Sequence, residues 1–191
     1  MKRIVIGLLI LRIAISLYSE SEENILFIGY ETIGKALNNS KYFTLEVGSR
    51  FAEKNQIRLI ITETKLGERQ LFSKQEIKST DGAKVEGYSW GYELNYDRFL
   101  TRSFYLSASI GYYEDIYRHT SNERYDNRSF TIGSGVGFRK NNFLEIDHLY
   151  YNFSIPVRFY LNEIDVIEFG DTIIKQHQIV NNIWLFFGYE F

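Results

Sequence analysis

The sequence predicts an all-β chain that closes into an antiparallel up-and-down transmembrane β-barrel of about eight strands. Three observations carry that expectation. Apolar and polar residues alternate with period two through most of the chain. Aromatic residues make up 17% of it, 15 Tyr, 15 Phe and 2 Trp, and these suit a pleated surface. The final segment places apolar side chains at every second position and ends on Phe191.

Residues 1–19 read as a signal peptide. Lys2 and Arg3 form a basic start, Ile4 to Leu17 an apolar stretch interrupted by Arg12, and Ser19 a small residue at a cleavage point. The apolar run is short for a spanning helix, which needs about 20 residues. Cleavage there removes three cations and no anions, taking the formal net charge from −2 to −5. That balance argues against a nucleic-acid partner. No cysteine is present, which excludes disulfides, thiolate metal sites and a lipid-anchored cysteine. No later stretch has the length of an apolar transmembrane helix, so a mature chain in a membrane must be a closed barrel.

Residues 20–40 are expected to be a lead-in, with Ile25 to Ile28 readable as a short helix or a strand, and residues 41–191 the barrel domain. Phe43, Leu45, Val47 and Phe51 alternate with Thr44, Glu46, Gly48 and Arg50. Ile57 to Thr64 looks extended and is assigned to a long loop spanning 52–86. Tyr88, Trp90, Tyr92, Leu94 and Tyr96 alternate with Ser89, Gly91, Glu93, Asn95 and Asp97. After a break at Leu100 to Arg102, Phe104, Leu106, Ala108, Ile110 and Tyr112 continue the pattern, and the two runs make a hairpin. A second loop is expected over 114–128. Runs over 130–138, 151–161 and 183–191 follow, and the weaker segments Phe143 to Tyr150 and Ile164 to Ile174 bring the count to eight.

Alternation alone fits a soluble barrel with an apolar interior as well. The polar face decides between them. It is rich in Gly and Ser with isolated charges, which suits a narrow lumen, while the apolar face is bulky and almost uncharged, which suits lipid. Tyr88, Trp90, Tyr112, Tyr113, Tyr150 and Tyr151 are expected in the interfacial belts.

The tail IWLFFGYEF resembles the C-terminal signature of bacterial outer-membrane proteins, with Ile183, Leu185, Phe187, Tyr189 and Phe191 matching its alternate apolar positions. Size and strand number also resemble the small eight-stranded barrels of the OmpA and OmpX type. The resemblance implies an outer-membrane location, a monomer in outer-membrane lipid, and recognition of the last strand by the barrel-assembly machinery. It also implies short turns at the periplasmic end, such as Leu100 to Ser103, and longer loops outside.

Glu46, Arg50, Glu93, Asp97, Arg158 and Glu190 fall on the polar face and are expected to form a charged network inside the lumen. Charges in a narrow interior must pair, so this network is expected to plug the barrel and not to conduct. Tyr117, Arg118, Arg124 and Tyr125 are the candidates for binding an extracellular partner, being residue types that anchor interfaces. His119, His148 and His177 are scattered and match no His–Ser–Asn pattern of a lipid A deacylase, nor a metal site, and no cofactor is expected. The expected function is non-enzymatic, structural or surface-interacting. A soluble barrel holding an apolar ligand is the first alternative and a lipid-modifying enzyme the second.

Overall fold

A computed structural model describes residues 25–34, 42–66, 75–79, 85–162, 166–169 and 172–191. Its elements are twelve strands and one 3-10 turn. The strands are β1 (Ile25–Glu31), β2 (Tyr42–Phe51), β3 (Asn55–Leu66), β4 (Gln75–Ser79), β5 (Val85–Phe99) and β6 (Phe104–His119). They continue as β7 (Arg124–Asn141), β8 (Leu149–Tyr160), β9 (Val166–Phe169), β10 (Thr172–Gln176), β11 (Ile179–Asn181) and β12 (Trp184–Glu190).

Eight strands form a closed antiparallel ring in the order β1-β2-β3-β5-β6-β7-β8-β12, with β12 pairing back onto β1. β11 pairs with β8 as β12 does, and extends that last wall. The register can be followed once round the ring. From Tyr150 it passes Gly188, Gly29, Glu46, Ile60, Glu93, Gly111 and Thr131, and re-enters β8 at Tyr160, ten residues from its start (150 to 160). Eight strands with that stagger tilt by about 41° and enclose a backbone cylinder of about 8 Å radius. Long side chains from opposite walls meet inside such a cylinder.

The ring has the expected number of strands but not the expected members. Ile25–Glu31, within the expected lead-in, is β1, so the barrel begins before residue 41. Ile57 to Thr64 belongs to the wall as β3 and not to a loop. What joins β2 to β3 is a tight turn at 52–54, where Ala52 and Glu53 take positive φ of 47° and 55°. The strand was obscured because Ile60, an apolar residue, points into the polar lumen between Leu59 and Ile61, breaking the alternation. Phe143 to Tyr150 is not a wall strand. It is a turn built on the 3-10 segment Phe143–Glu145, with Asn142, Leu144, Glu145 and His148 in the left-handed region. His148 therefore lies in this turn and not in a strand. Ile164 to Ile174 overlaps β9 and β10, which leave the ring and pair with β4 in a separate three-stranded sheet, β4-β10-β9.

Both short turns, 52–54 and 100–103, lie at the end where β12 finishes, here the turn end. The second is closed by Leu100 and Thr101 amides donating to the Phe104 carbonyl and by the Thr101 hydroxyl accepting from the Phe104 amide. At the opposite, loop end, β6 and β7 run on past the ring. Their ladder reaches Arg118–Arg124, whereas the β7–β8 ladder stops at Thr131–Tyr160. The expected 114–128 loop is thus mostly strand, and only residues 120–123 connect β6 to β7. This extension adds about 20 Å to the hairpin. The three-stranded sheet packs on its inner face, where Tyr117, Ile167, Phe169 and Ile174 form a buried cluster joined by Val85 and Tyr125.

Candidate functional site

The barrel's polarity is inverted relative to a water-soluble protein. Outward side chains such as Phe43, Leu94, Leu106, Ile110, Phe130, Ile132, Val136, Ile155 and Phe159 are exposed. Inward ones such as Glu46, Arg58, Asp97 and Asn152 are almost wholly buried. A barrel that holds an apolar ligand needs the opposite arrangement. Around the outside, Trp90, Tyr92, Tyr112 and Phe130 form a continuous chain of ring contacts across β5, β6 and β7, an aromatic band toward the loop end. Phe138, Tyr151, Phe143 and Phe187 form the matching band at the turn end. Tyr113 and Tyr150, expected in these belts, point into the lumen instead. They precede or follow a belt tyrosine directly in sequence, so adjacent positions necessarily face opposite sides.

The lumen is filled by three tiers of paired charge. Nearest the turn end, Arg139 donates to Glu190 at 2.9 Å and Arg50 lies 3.8 Å from the same carboxylate. In the middle, Arg58 donates through Nε and Nη2 to Asp97 at 2.5 and 3.1 Å, and through Nη1 to Glu46 at 3.0 Å. Gln56 adds a bond to Asp97 at 2.8 Å. Tyr150 and Asn152 donate to Glu46 at 2.9 and 3.0 Å, and Tyr105 donates to Asn152 at 2.7 Å. Toward the loop end, Arg158 pairs with Glu93, which also accepts from the Tyr113 hydroxyl at 2.7 Å. Each of the four guanidiniums also lies over an aromatic ring. Arg50 covers Phe99, Arg58 Tyr105, Arg139 Tyr150 and Phe27, and Arg158 Trp184 and Tyr113. A planar cation can satisfy a carboxylate at its edge and a ring at its face together, which is why arginine serves here where lysine would not. Ile60 on β3 packs with Trp184 and Phe186 on β12 as an apolar cluster inside the lumen.

All six charges placed in the lumen by sequence face it and take part in these tiers. The sequence reading missed Arg58 and Arg139, the cations that hold the middle and lower tiers. Arg58 was lost with β3, and Arg139 lies one position past the last clear alternation of β7. The signal that could have found them is charge balance: four lumen carboxylates against two arginines demanded further cations.

The loop-binding candidates separate into two pairs. Tyr117 is fully buried and Tyr125 packs against the same cluster, so both belong to the core beneath the three-stranded sheet. Arg118 and Arg124 are cross-strand neighbours on the outer face of the extension. Around them that face carries ion pairs: Arg124 with Asp126 at 2.7 Å, Lys65 with Glu86 at 2.9 Å and Arg128 with Glu114 at 3.6 Å. Arg124 holds the Asp126 carboxyl below the usual carboxylate range through their hydrogen bond. Tyr88 carries Lys65 and Arg118 over its ring. His119 stacks on Phe169 at 5.6 Å with the rings 4° from parallel, and accepts the Ser121 amide at the end of β6. Among the described residues no group of three His, Asp or Glu side chains converges on a metal position. Ile183, Leu185, Phe187, Tyr189 and Phe191 share the outward face of the last wall, with Phe191 protruding at its end.

A tilted ring of eight antiparallel strands with a charged interior and two outer aromatic bands settles the architecture. The fold is that of a small outer-membrane barrel. A major outer membrane protein from Thermus thermophilus superposes with a TM-score of 0.55 over 88% of this chain and 98% of that one, at 11% identity. Ail, the attachment invasion locus protein of Yersinia pestis, aligns over 88% of this chain and 97% of that chain at 12% identity and a TM-score of 0.48. Neisserial surface protein A aligns over 87% and 93% at 12% identity and 0.45. No family model matches the sequence, and no curated protein aligns with it significantly.

Proposed function

We propose that this chain is a non-enzymatic barrel of the bacterial outer membrane, plugged along its axis, whose loop end is a surface for interaction outside the cell. The observation that carries the reading is the inversion of polarity. Paired charges fill a lumen of about 8 Å backbone radius, while a bulky apolar wall between two aromatic bands faces outward. Water would reject that wall and lipid accepts it. With the axis occupied by paired side chains, function moves to the rigid projections at the loop end. There the β6–β7 extension and the sheet packed on it hold a charged outer face, including Arg118 and Arg124, away from the membrane. Exposed segments on a rigid scaffold are where binding concentrates.

Residues 1–19 serve as the export signal in this proposal, and lie outside the described residues. Ile183, Leu185, Phe187, Tyr189 and Phe191 form the stripe offered to the barrel-assembly machinery, and the turn end lies in the periplasm. Outer-membrane lipid is the permanent partner, and the protein is a monomer. Cell fractionation with surface proteolysis tests compartment and orientation together. The protein is expected in the outer-membrane fraction, to migrate faster on a gel before boiling than after, and to be cut on intact cells within 67–84 but not at 52–54 or 100–103. Recovery in the aqueous fraction without detergent, or cleavage at 52–54 on intact cells, overturns the reading.

A further inference from the structure

The ladder that closes the ring is its shortest. β1 and β12 share five register pairs, Phe27–Glu31 against Phe186–Glu190, with one backbone bond beyond each end, Phe191 to Leu26 and Thr32 to Leu185. The β5–β6 and β6–β7 ladders each run over fifteen. The ladders beside it, β1–β2 and β8–β12, have six pairs each, so this short-laddered corner, with the β12–β1 joint at its centre, is where the ring is expected to part first.

Across that joint, three side-chain connections span the lumen. Tyr150 starts on β8, passes over β12 and β1, and donates to Glu46 on β2. Asn152 makes the same crossing to the same carboxylate. Glu190 on β12 meets Arg50 on β2, across β1, while Arg139 grips it from β7, across β8. Arg139 also lies over the rings of Tyr150 on one side of the joint and Phe27 on the other, at 3.5 and 4.2 Å. The path is cleared for Tyr150. Gly29 and Gly188 are register partners at the joint, and a Cβ on either would sit 2.4 or 2.5 Å from the Tyr150 ring or hydroxyl. The absence of side chains where the two closing strands meet is thus matched by an aromatic from the next strand laid across them.

We propose that the ring is latched from within, by Tyr150 and Asn152 on Glu46 and by Glu190 between Arg139 and Arg50, and that the β12–β1 joint is the seam at which it opens when the latch is released. Because each connection bridges strands that are not neighbours, none can persist once β12 and β1 separate. The three connections cross the β8–β12, β12–β1 and β1–β2 ladders and no others, so their loss reports opening on this side of the ring.

Hydrogen exchange on the full barrel in detergent micelles tests this against a merely structural role. Tyr150→Phe and Glu190→Gln are expected to speed exchange of the amides at 27–31 and 186–190 by about tenfold or more while leaving those of β6 and β7 unchanged. Glu93→Gln breaks a comparable buried pair, Glu93 with Arg158, that does not bridge the seam, and is expected to leave the seam amides alone. Equal acceleration all round the ring, no acceleration, or the same seam response from Glu93→Gln overturns the proposal. A second arm covers variants too weak to isolate. The chain has no cysteine, so Ile28→Cys with Tyr189→Cys, register partners on the outer face, gives a single crosslink across the seam. Oxidising that pair is expected to restore the heat stability lost in the latch variants. It is expected not to restore that lost in Glu93→Gln. Failure to rescue the latch variants sinks the latch.

Discussion

Arg58 is the single side chain whose removal the lumen should tolerate least. Its guanidinium supplies three of the bonds made to Asp97 and Glu46, and all three residues have essentially no solvent exposure. Arg58→Met keeps much of the volume but leaves two carboxylates facing each other in a space that water does not screen. Asp97 would retain Gln56, and Glu46 would retain Tyr150 and Asn152. Those neutral donors offset part of the loss, not the charge. Removing one partner of a buried ion pair costs about 3–5 kcal/mol. With a denaturant slope of about 2 kcal/mol/M, the urea midpoint should fall by about 1.5–2.5 M. The assay is unfolding of the barrel in micelles, followed by tryptophan fluorescence and by the gel shift between folded and boiled forms. Arg58→Lys should recover only part of the loss, because an ammonium cannot form the two-pronged bond to Asp97 while also reaching Glu46. Converting Arg58, Asp97 and Glu46 together to apolar residues should be milder than Arg58→Met alone. That ordering separates an unpaired-charge penalty from lost packing. A midpoint in Arg58→Met within about 0.5 M of the parent, a shift of about 1 kcal/mol, would refute the reasoning.

Three further outcomes follow from local geometry. A Cβ on Gly137 would lie 2.0 Å from the Tyr105 ring, so Gly137→Val should abolish the unboiled, fast-migrating form, and adding Tyr105→Ala should restore it. Phe169→Ala removes the ring that packs with Tyr117 and Ile174 and stacks on His119, and should cost the three-stranded sheet about 3–5 kcal/mol. Its signature is faster proteolysis within 67–84 and 161–178 with an unchanged barrel gel shift, and a weakened barrel would contradict it. The Asp126 carboxyl, held low by Arg124, supports the extension above the carboxylate's unfolded pKa and loses that support as pH falls through the depressed folded value. An NMR titration should place Asp126 below the usual carboxylate range and return it upward in Arg124→Ala. An unchanged titration there would remove Arg124 as the cause.

The parts of this fold legible in the sequence are those where one face is uniformly apolar and the other small or polar. In β5, every outward position from Tyr88 to Tyr96 is bulky and every inward one from Ser89 to Asp97 is small or polar, so the strand and its two faces could be read directly. β3 failed the same reading because Ile60 enters the lumen and Lys65 and Glu63 leave the lipid at its far end. β1 failed because only seven residues of it are paired and its inward Phe27 and Gly29 carry no polar signal, leaving Glu31 alone to mark that face. Tyr117 and Tyr125 look like loop-tip anchors until β9 and β10 cover them. Nothing in the local sequence announces a sheet assembled from two segments about ninety residues apart.

What the sequence determined by itself was the class of surface each strand presents. Alternation is a local property, and in the proposed lipid setting the same demand falls on every outward position. The apolar stripe of the last strand and the two faces of β5 could be read from it, whereas the count of eight was reached with two segments that lie outside the ring. The tertiary structure alone decided which charges pair, because partners such as Arg139 and Glu190, or Glu46 and Tyr150, come from strands far apart in the chain. Their meeting depends on the ten-residue stagger of the closed ring. That stagger is set by the sum of all the strand registers and appears in no single segment.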